Sequence, residues 1–106
     1  MKTLTLSLKK KWFDMIASGE KKEEYREINQ YWKNRLCTFS SDEDGSFYEI
    51  KHFETVEFTL GYPRKDDMSR RMKFKIEDIC FDKGNPDWGA ENGAVYFVIK
   101  LGERLC

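Results

Sequence analysis

The feature that most constrains the fold is a slip in hydrophobic parity between residues 72 and 81. Met72, Phe74 and Ile76 alternate with Lys73, Lys75 and Glu77, the period of two that half-buries a strand. The apolar positions then move to Ile79 and Phe81. A strand keeps its core face through such a slip only with a bulge or bend, here around Glu77-Asp78. Bends of that kind let a small sheet curl towards a barrel.

The neighbouring segments agree. Leu4, Leu6 and Leu8 alternate with Thr3, Thr5 and Ser7, and Val56, Phe58 and Leu60 with Thr55, Glu57 and Thr59, giving two more half-buried strands. The run Ala94–Leu101 is apolar on both faces, as expected of a central strand. Between the first two strands lie two helical patterns. Trp12, Phe13, Ile16 and Ala17 share one helical face, and Gly19 stands where a left-handed residue closes a helix. Asn29 reads as the N-cap of a second helix over Gln30–Cys37, with Ile28, Trp32 and Leu36 in register. Between them, residues 20–26 read as a short strand. Ser40–Ser46 reads as a polar loop, and Asn85–Gly89 as a turn-rich loop carrying Trp88. The expectation is one α+β domain over residues 1–106, a small mixed β-barrel flanked by two short helices.

Composition narrows the function. Lys+Arg and Asp+Glu number 19 each, so the chain lacks the basic excess of a non-specific polyanion binder. Binding to an anion must come from local segregation of charge. Cys37, Cys80 and Cys106 form no Cys-x-x-Cys pair and His52 is the single histidine. No metal site and no disulfide framework is indicated, and no cofactor is called for. The thiols fit a reducing compartment. The first residues lack the apolar core of a signal peptide, and no stretch reaches the length of a membrane span, so a soluble, cytoplasmic protein without a membrane partner is expected.

Charge is densest where the first helix hands over to the following segment: Gly19-Glu20-Lys21-Lys22-Glu23-Glu24-Tyr25-Arg26. In an extended chain Lys22, Glu24 and Arg26 share one face, and Lys21, Glu23 and Tyr25 the other. Lys21 sits at the junction, where strict alternation need not hold, and can join Glu24 and Arg26. Arg26 offers a planar fork for phosphate, carboxylate or a base face. A desolvated Lys21 is a candidate general base. Lys9, Lys10 and Lys11 crowd a helix start that favours anions. Tyr25, Tyr62 and Trp88 are candidates for stacking, and residues 64–71 for a basic rim diluted by Asp66 and Asp67. A plain surface ion-pair cluster is the competing reading of the run.

Those residues also resemble a family. Leu6-Ser7-Leu8-Lys9, the helix with Trp12 and Ile16, Gly19-x-Lys21-x-x-Glu24-x-Arg26, Tyr31-Trp32-Lys33, Gly61-Tyr62 and Val95–Gly102 together resemble the ASCH (activating signal cointegrator homology) domain, over essentially the whole chain. The resemblance implies a PUA-like barrel related to RNA-binding and RNA-modification modules. It implies a cleft between barrel and first helix lined by Lys21, Glu24 and Arg26, to which the reading of the residues themselves adds Lys9 and Tyr25 as ligand contacts. RNA or a nucleoside- or nucleotide-like ligand is then the expected partner. Some members resemble amidohydrolases acting on acylated cytidine, which use a lysine and a threonine three residues apart. Here Lys21 matches the lysine and Glu24 stands at the threonine position. Hydrolysis would therefore need Glu24 to activate water while Lys21 or Arg26 stabilises the oxyanion. Other members resemble ribonucleases. A third expectation, a protein-interaction domain, follows from the family's namesake.

Overall fold

The computed structural model describes residues 2–106. Seven strands and two helices follow one another: β1 (Thr3–Leu8), α1 (Lys10–Ala17), β2 (Glu23–Arg26), α2 (Gln30–Leu36), β3 (Cys37–Asp42), β4 (Gly45–Ile50), β5 (Thr55–Leu60), β6 (Arg71–Lys83) and β7 (Val95–Arg104). Five strands form one sheet in the order β1-β5-β6-β7-β2, with β1 and β5 parallel and every other neighbour antiparallel. The fold is α+β, a mixed sheet curled into a half-barrel with two short helices.

The parity slip does what the alternation requires. The register between β6 and β7 shifts between Phe74 and Ile76 and again between Ile76 and Asp78. Ile79 and Phe81 thereby return to the face shared with Ile99 and Phe97. Leu4, Leu6, Val56, Phe58, Met72, Phe97 and Ile99, each no more than 2% exposed, fill the concave side, capped by Phe13 and Ile16 of α1 and Leu36 of α2. Burial of each large apolar side chain contributes about 1.5–3 kcal/mol. On the convex side Tyr25, Val98 and Ala90 form a smaller cluster under the 85–90 loop.

Several boundaries differ from expectation. Only Glu23–Arg26 pair as a strand, because the chain leaves α1 through Ser18 and Gly19 (φ +85°) and the Lys21 amide still bonds to the Met15 carbonyl, 3.0 Å away. Asn29 does cap α2, accepting from the Trp32 amide at 2.9 Å, but the helix stops at Leu36 and Cys37 opens a strand. Ala17 and Ile28, placed on apolar helix faces by periodicity, are exposed.

The largest departure is the segment 40–46. It is not a loop: β3 and β4 form a separate antiparallel hairpin, turning at Glu43-Asp44 where the Asp44 amide bonds to Asp42 Oδ1 at 2.9 Å. Beyond its root at Cys37 and Ile50 the hairpin is largely exposed and needs no hydrophobic alternation, so serines and carboxylates give no strand signal. The half-barrel is open for a related reason. β1 and β2 are the two edges of the sheet and do not pair; side chains span the gap between them.

Candidate functional site

The gap between β1 and β2 is a cleft. Glu24 and Arg26 lie opposite Ile99 and Phe97, so both project from β2 onto the concave face. Lys21, still outside the strand, folds back over the end of α1 and joins them. Three charged groups meet at the foot of the cleft. Lys21 Nζ donates to Glu24 Oε1 at 2.5 Å, and Arg26 Nη1 reaches Glu24 Oε2 at 2.6 Å. The lysine side chain is 1% exposed, the glutamate 5% and the arginine 18%. This is no surface ion-pair cluster.

The surroundings explain how a lysine is tolerated there. The Lys21 ammonium lies 5.1 Å from the ring centre of Trp12 and 5.3 Å from that of Tyr25. Each ring face presents partial negative charge to the cation. Burial nonetheless draws the Lys21 pKa below its ordinary 10.5, and the Glu24 carboxylate pulls the other way. Arg26 is fixed from three directions. Its Nη2 donates to the Ser7 carbonyl on the free edge of β1 at 3.1 Å, its Nη1 holds Glu24, and its guanidinium lies 5.1 Å from the Trp32 ring centre. Its Nε is buried with no partner. One carboxylate thus faces two cations, and the foot of the cleft carries an excess of one positive charge.

Two adjoining hollows open from this foot. The smaller, of about 480 Å³, is bounded by Trp12, Lys21, Glu24, Arg26, Tyr62 and Trp88. The larger, of about 970 Å³, runs along β1 past Arg26, Trp32 and Arg35. Lys9, Tyr25, Arg26 and Tyr62 line both. Tyr62 is 97% exposed on the Gly61 turn, a free aromatic face at the rim. Lys10 pairs with Asp14 and Lys11 lies over Trp12, which leaves Lys9 as the lysine of the trio that faces the cleft without a carboxylate partner among the described residues.

Of the residues singled out from sequence, Lys21, Glu24 and Arg26 converge as expected. Tyr25 is held by hydrogen bonds of its own. It points to the convex side, is 8% exposed, donates its hydroxyl to Glu23 Oε1 at 2.8 Å and accepts from the Asn85 amide at 2.9 Å. Burial pushes its phenol pKa up. Its ring is a wall against Lys21. The basic rim at 64–71 is weaker than its composition. Arg71 is tied to Glu57 at 2.9 Å and to the carbonyls of Pro63 and Arg64, holding the Tyr62 turn, and Arg70 faces Asp67. Sequence reasoning missed Trp12 and Trp32 as partners of cations, since both sit at helical spacings that also serve a core. It missed Arg35, whose Nη2 donates to the Thr5 carbonyl on β1 at 3.3 Å, because nothing local marks it.

No cluster of histidine, cysteine and carboxylate side chains suited to a metal occurs among the described residues, and no helix there is long and apolar enough to cross a membrane. Comparison with protein-family models, curated proteins and solved structures gives no match to this chain.

Proposed function

We propose that this chain is an ASCH-type domain with a PUA-like half-barrel that binds RNA or a nucleoside-like ligand in the cleft between β1, α1 and β2. The observation that carries the reading is the buried Lys21–Glu24–Arg26 triad at the foot of that cleft. Burying charges is unfavourable, and an apolar trio of similar volume is often as stable or more so. Charges kept at the bottom of an open hollow are therefore best explained by a polar ligand. In this reading Glu24 is chiefly a positioning residue. Both of its oxygens hold cations, so it fixes Lys21 and Arg26 for a phosphate, a base edge or a sugar hydroxyl. Lys9 adds a cation at the mouth, and Tyr62 and Trp88 offer ring faces to a base.

A second reading, hydrolysis of an acylated cytidine-like nucleoside, is favoured by one observation. Lys21 is desolvated and its pKa is drawn down, the environment that fits a lysine for proton transfer. Glu24 stands where the resembled amidohydrolases carry their threonine, so water would attack, with Glu24 or Lys21 as the base and Arg26 facing the oxyanion.

One panel separates the two: single-stranded RNA, free nucleotides and acylated cytidines, tested for binding and turnover beside Arg26→Ala and Tyr62→Ala. Binding is expected to be salt-sensitive, and Tyr62→Ala to weaken it by about 1–3 kcal/mol, the range for one stacked base. Tyr62→Ala leaves the fold untouched, because the ring packs on nothing. Deacylation lost in Lys21→Ala would establish the hydrolytic reading. If no probe binds and none turns over, both readings fail.

A further inference from the structure

The β3–β4 hairpin has a face with nothing on it. In the antiparallel register Cys37, Phe39, Tyr48 and Ile50 share one side, and this side is rooted in the body: Cys37 is buried, and Ile50 packs on the core. Phe39 and Tyr48 brace each other edge-on at 5.3 Å, and the Tyr48 hydroxyl accepts from Gln30 of α2 at 3.3 Å. The opposite side carries Phe47 with Asp42 and Glu49. Phe47 is 47% exposed, an aromatic ring set between two carboxylates on a strand pair that is otherwise bare.

Charge is divided sharply between hairpin and body. Residues 37–50 hold Asp42, Glu43, Asp44 and Glu49 and no lysine or arginine. Since the whole chain is neutral, the remainder carries an excess of four positive charges. Part of that excess lines the larger hollow. Its lining sets Lys9, Arg26, Arg35 and Arg71 against Glu27 and Glu91. Arg35 and Lys9 have no carboxylate partner among the described residues, and Trp32, Tyr31 and Tyr62 provide aromatic walls. An aromatic flanked by two carboxylates and an aromatic hollow lined by two more cations than carboxylates are complementary in charge and in character. Two-stranded hairpins are marginal alone, and cover on this face would stabilise one.

We propose that the Phe47 face of the hairpin docks in the larger hollow of a second copy of this chain. Asp42 and Glu49 face Arg35 and Lys9 of the other molecule. Each molecule offers both halves of the contact, so reciprocal exchange closes as a two-fold dimer with two equivalent contacts. The occupied hollow adjoins the cleft of the proposed function, so a ligand there and the dimer compete. The dimer itself does not depend on that function.

The test is sedimentation equilibrium of the full chain at roughly 50 mM and roughly 500 mM salt, on either side of the ~10 Å screening length at 0.1 M. Wild type is expected to form a reversible dimer that weakens at least about tenfold at the higher salt, and Phe47→Ser to be monomeric. Asp42→Lys/Glu49→Lys and Lys9→Glu/Arg35→Glu are each expected to be monomeric alone and to restore a dimer when mixed in equal amounts. The hairpin substitutions lie on an exposed face, so an unchanged circular dichroism spectrum shows that the fold survives. A monomeric wild type, an assembly that ignores these substitutions, or growth beyond the dimer overturns the proposal. RNA binding by the monomeric hairpin variant, measured alongside, reports on the cleft by itself, so the two ideas stand or fall separately.

Discussion

Replacing Glu24 by glutamine tests the energetic logic of the site. The amide keeps the shape of the carboxylate but removes its charge, and one of its two ends becomes a donor facing a donor. Arg26, with 18% of its side chain exposed, can turn part of its charge to water. Lys21, at 1%, cannot. Removing one partner of a buried pair destabilises by about 3–5 kcal/mol. Lys21 can also shed its proton, which limits the penalty. Neutralising a lysine of ordinary pKa 10.5 at pH 7 costs about 5 kcal/mol at 1.36 kcal/mol per unit. Part of that burden is already present in the wild type, whose Lys21 pKa is drawn down, so the expected loss is about 3 kcal/mol. With a urea slope of about 1–3 kcal/mol per molar, the midpoint falls by about 1–3 M.

The pH dependence of the loss has a definite sign. A lysine with a depressed folded-state pKa destabilises the fold at low pH. That burden lifts as pH rises from the folded value towards 10.5, because only the unfolded chain still holds the proton. Without Glu24 the folded value drops further, so the variant begins to recover at a lower pH than the wild type. The stability gap therefore narrows with rising pH, by at most about 1.4 kcal/mol per unit, until the wild-type value is passed. Urea titrations of both proteins from pH 6 to the alkaline limit of native structure supply the measurement. A loss below about 1 kcal/mol, or a gap flat across that range, would refute the claim that Lys21 is held charged by Glu24.

Two further outcomes follow from packing. A Cβ on Gly84 would lie 2.6 Å from the Ala90 Cβ and 2.9 Å from the Tyr25 ring, so Gly84→Ala is expected to destabilise by about 1–3 kcal/mol and displace the wall behind Lys21; an unchanged melting temperature would contradict that packing. Burial pushes the Cys37 thiol pKa up, which leaves little thiolate at pH 8, whereas Cys106 is exposed. Thiol titration of the native chain with a disulfide reagent is expected to show a fast phase that Cys106→Ser removes, with Cys37 reacting only on unfolding. Fast labelling of Cys37 would mean that the junction of α2 and β3 opens readily.

What could be read in advance depended on whether a residue's task repeats along the chain. The alternations at 3–8, 55–60 and 72–81 place Leu6, Phe58 and Phe74 in a core because burial on one face imposes a period. The bulge was legible as a break in that period. The hairpin was not, since residues 41–49 are all exposed and so carry no period to read. At the site, Lys21, Glu24 and Arg26 stood out as a local cluster of charge, and a short strand brought two of them together. Arg35 meets β1 across thirty positions of sequence, and Trp12 meets Lys21 across the turn at Gly19. Contacts of that kind are properties of the closed sheet, and no window of neighbouring residues contains them.

The strand that carries Glu24 and Arg26 has a single sheet neighbour, β7, and its register is set against residues 97–100. A ribosome making this chain releases β2 more than seventy positions before that partner exists. Until then the two side chains have no floor of Phe97 and Ile99 beneath them, and the wall of Tyr25 has no Val98 to lean on. Pairings so distant in sequence form late and slowly. The charged site is thus among the last features to assemble during synthesis, and a nascent chain remains unable to engage a ligand there until β7 has emerged.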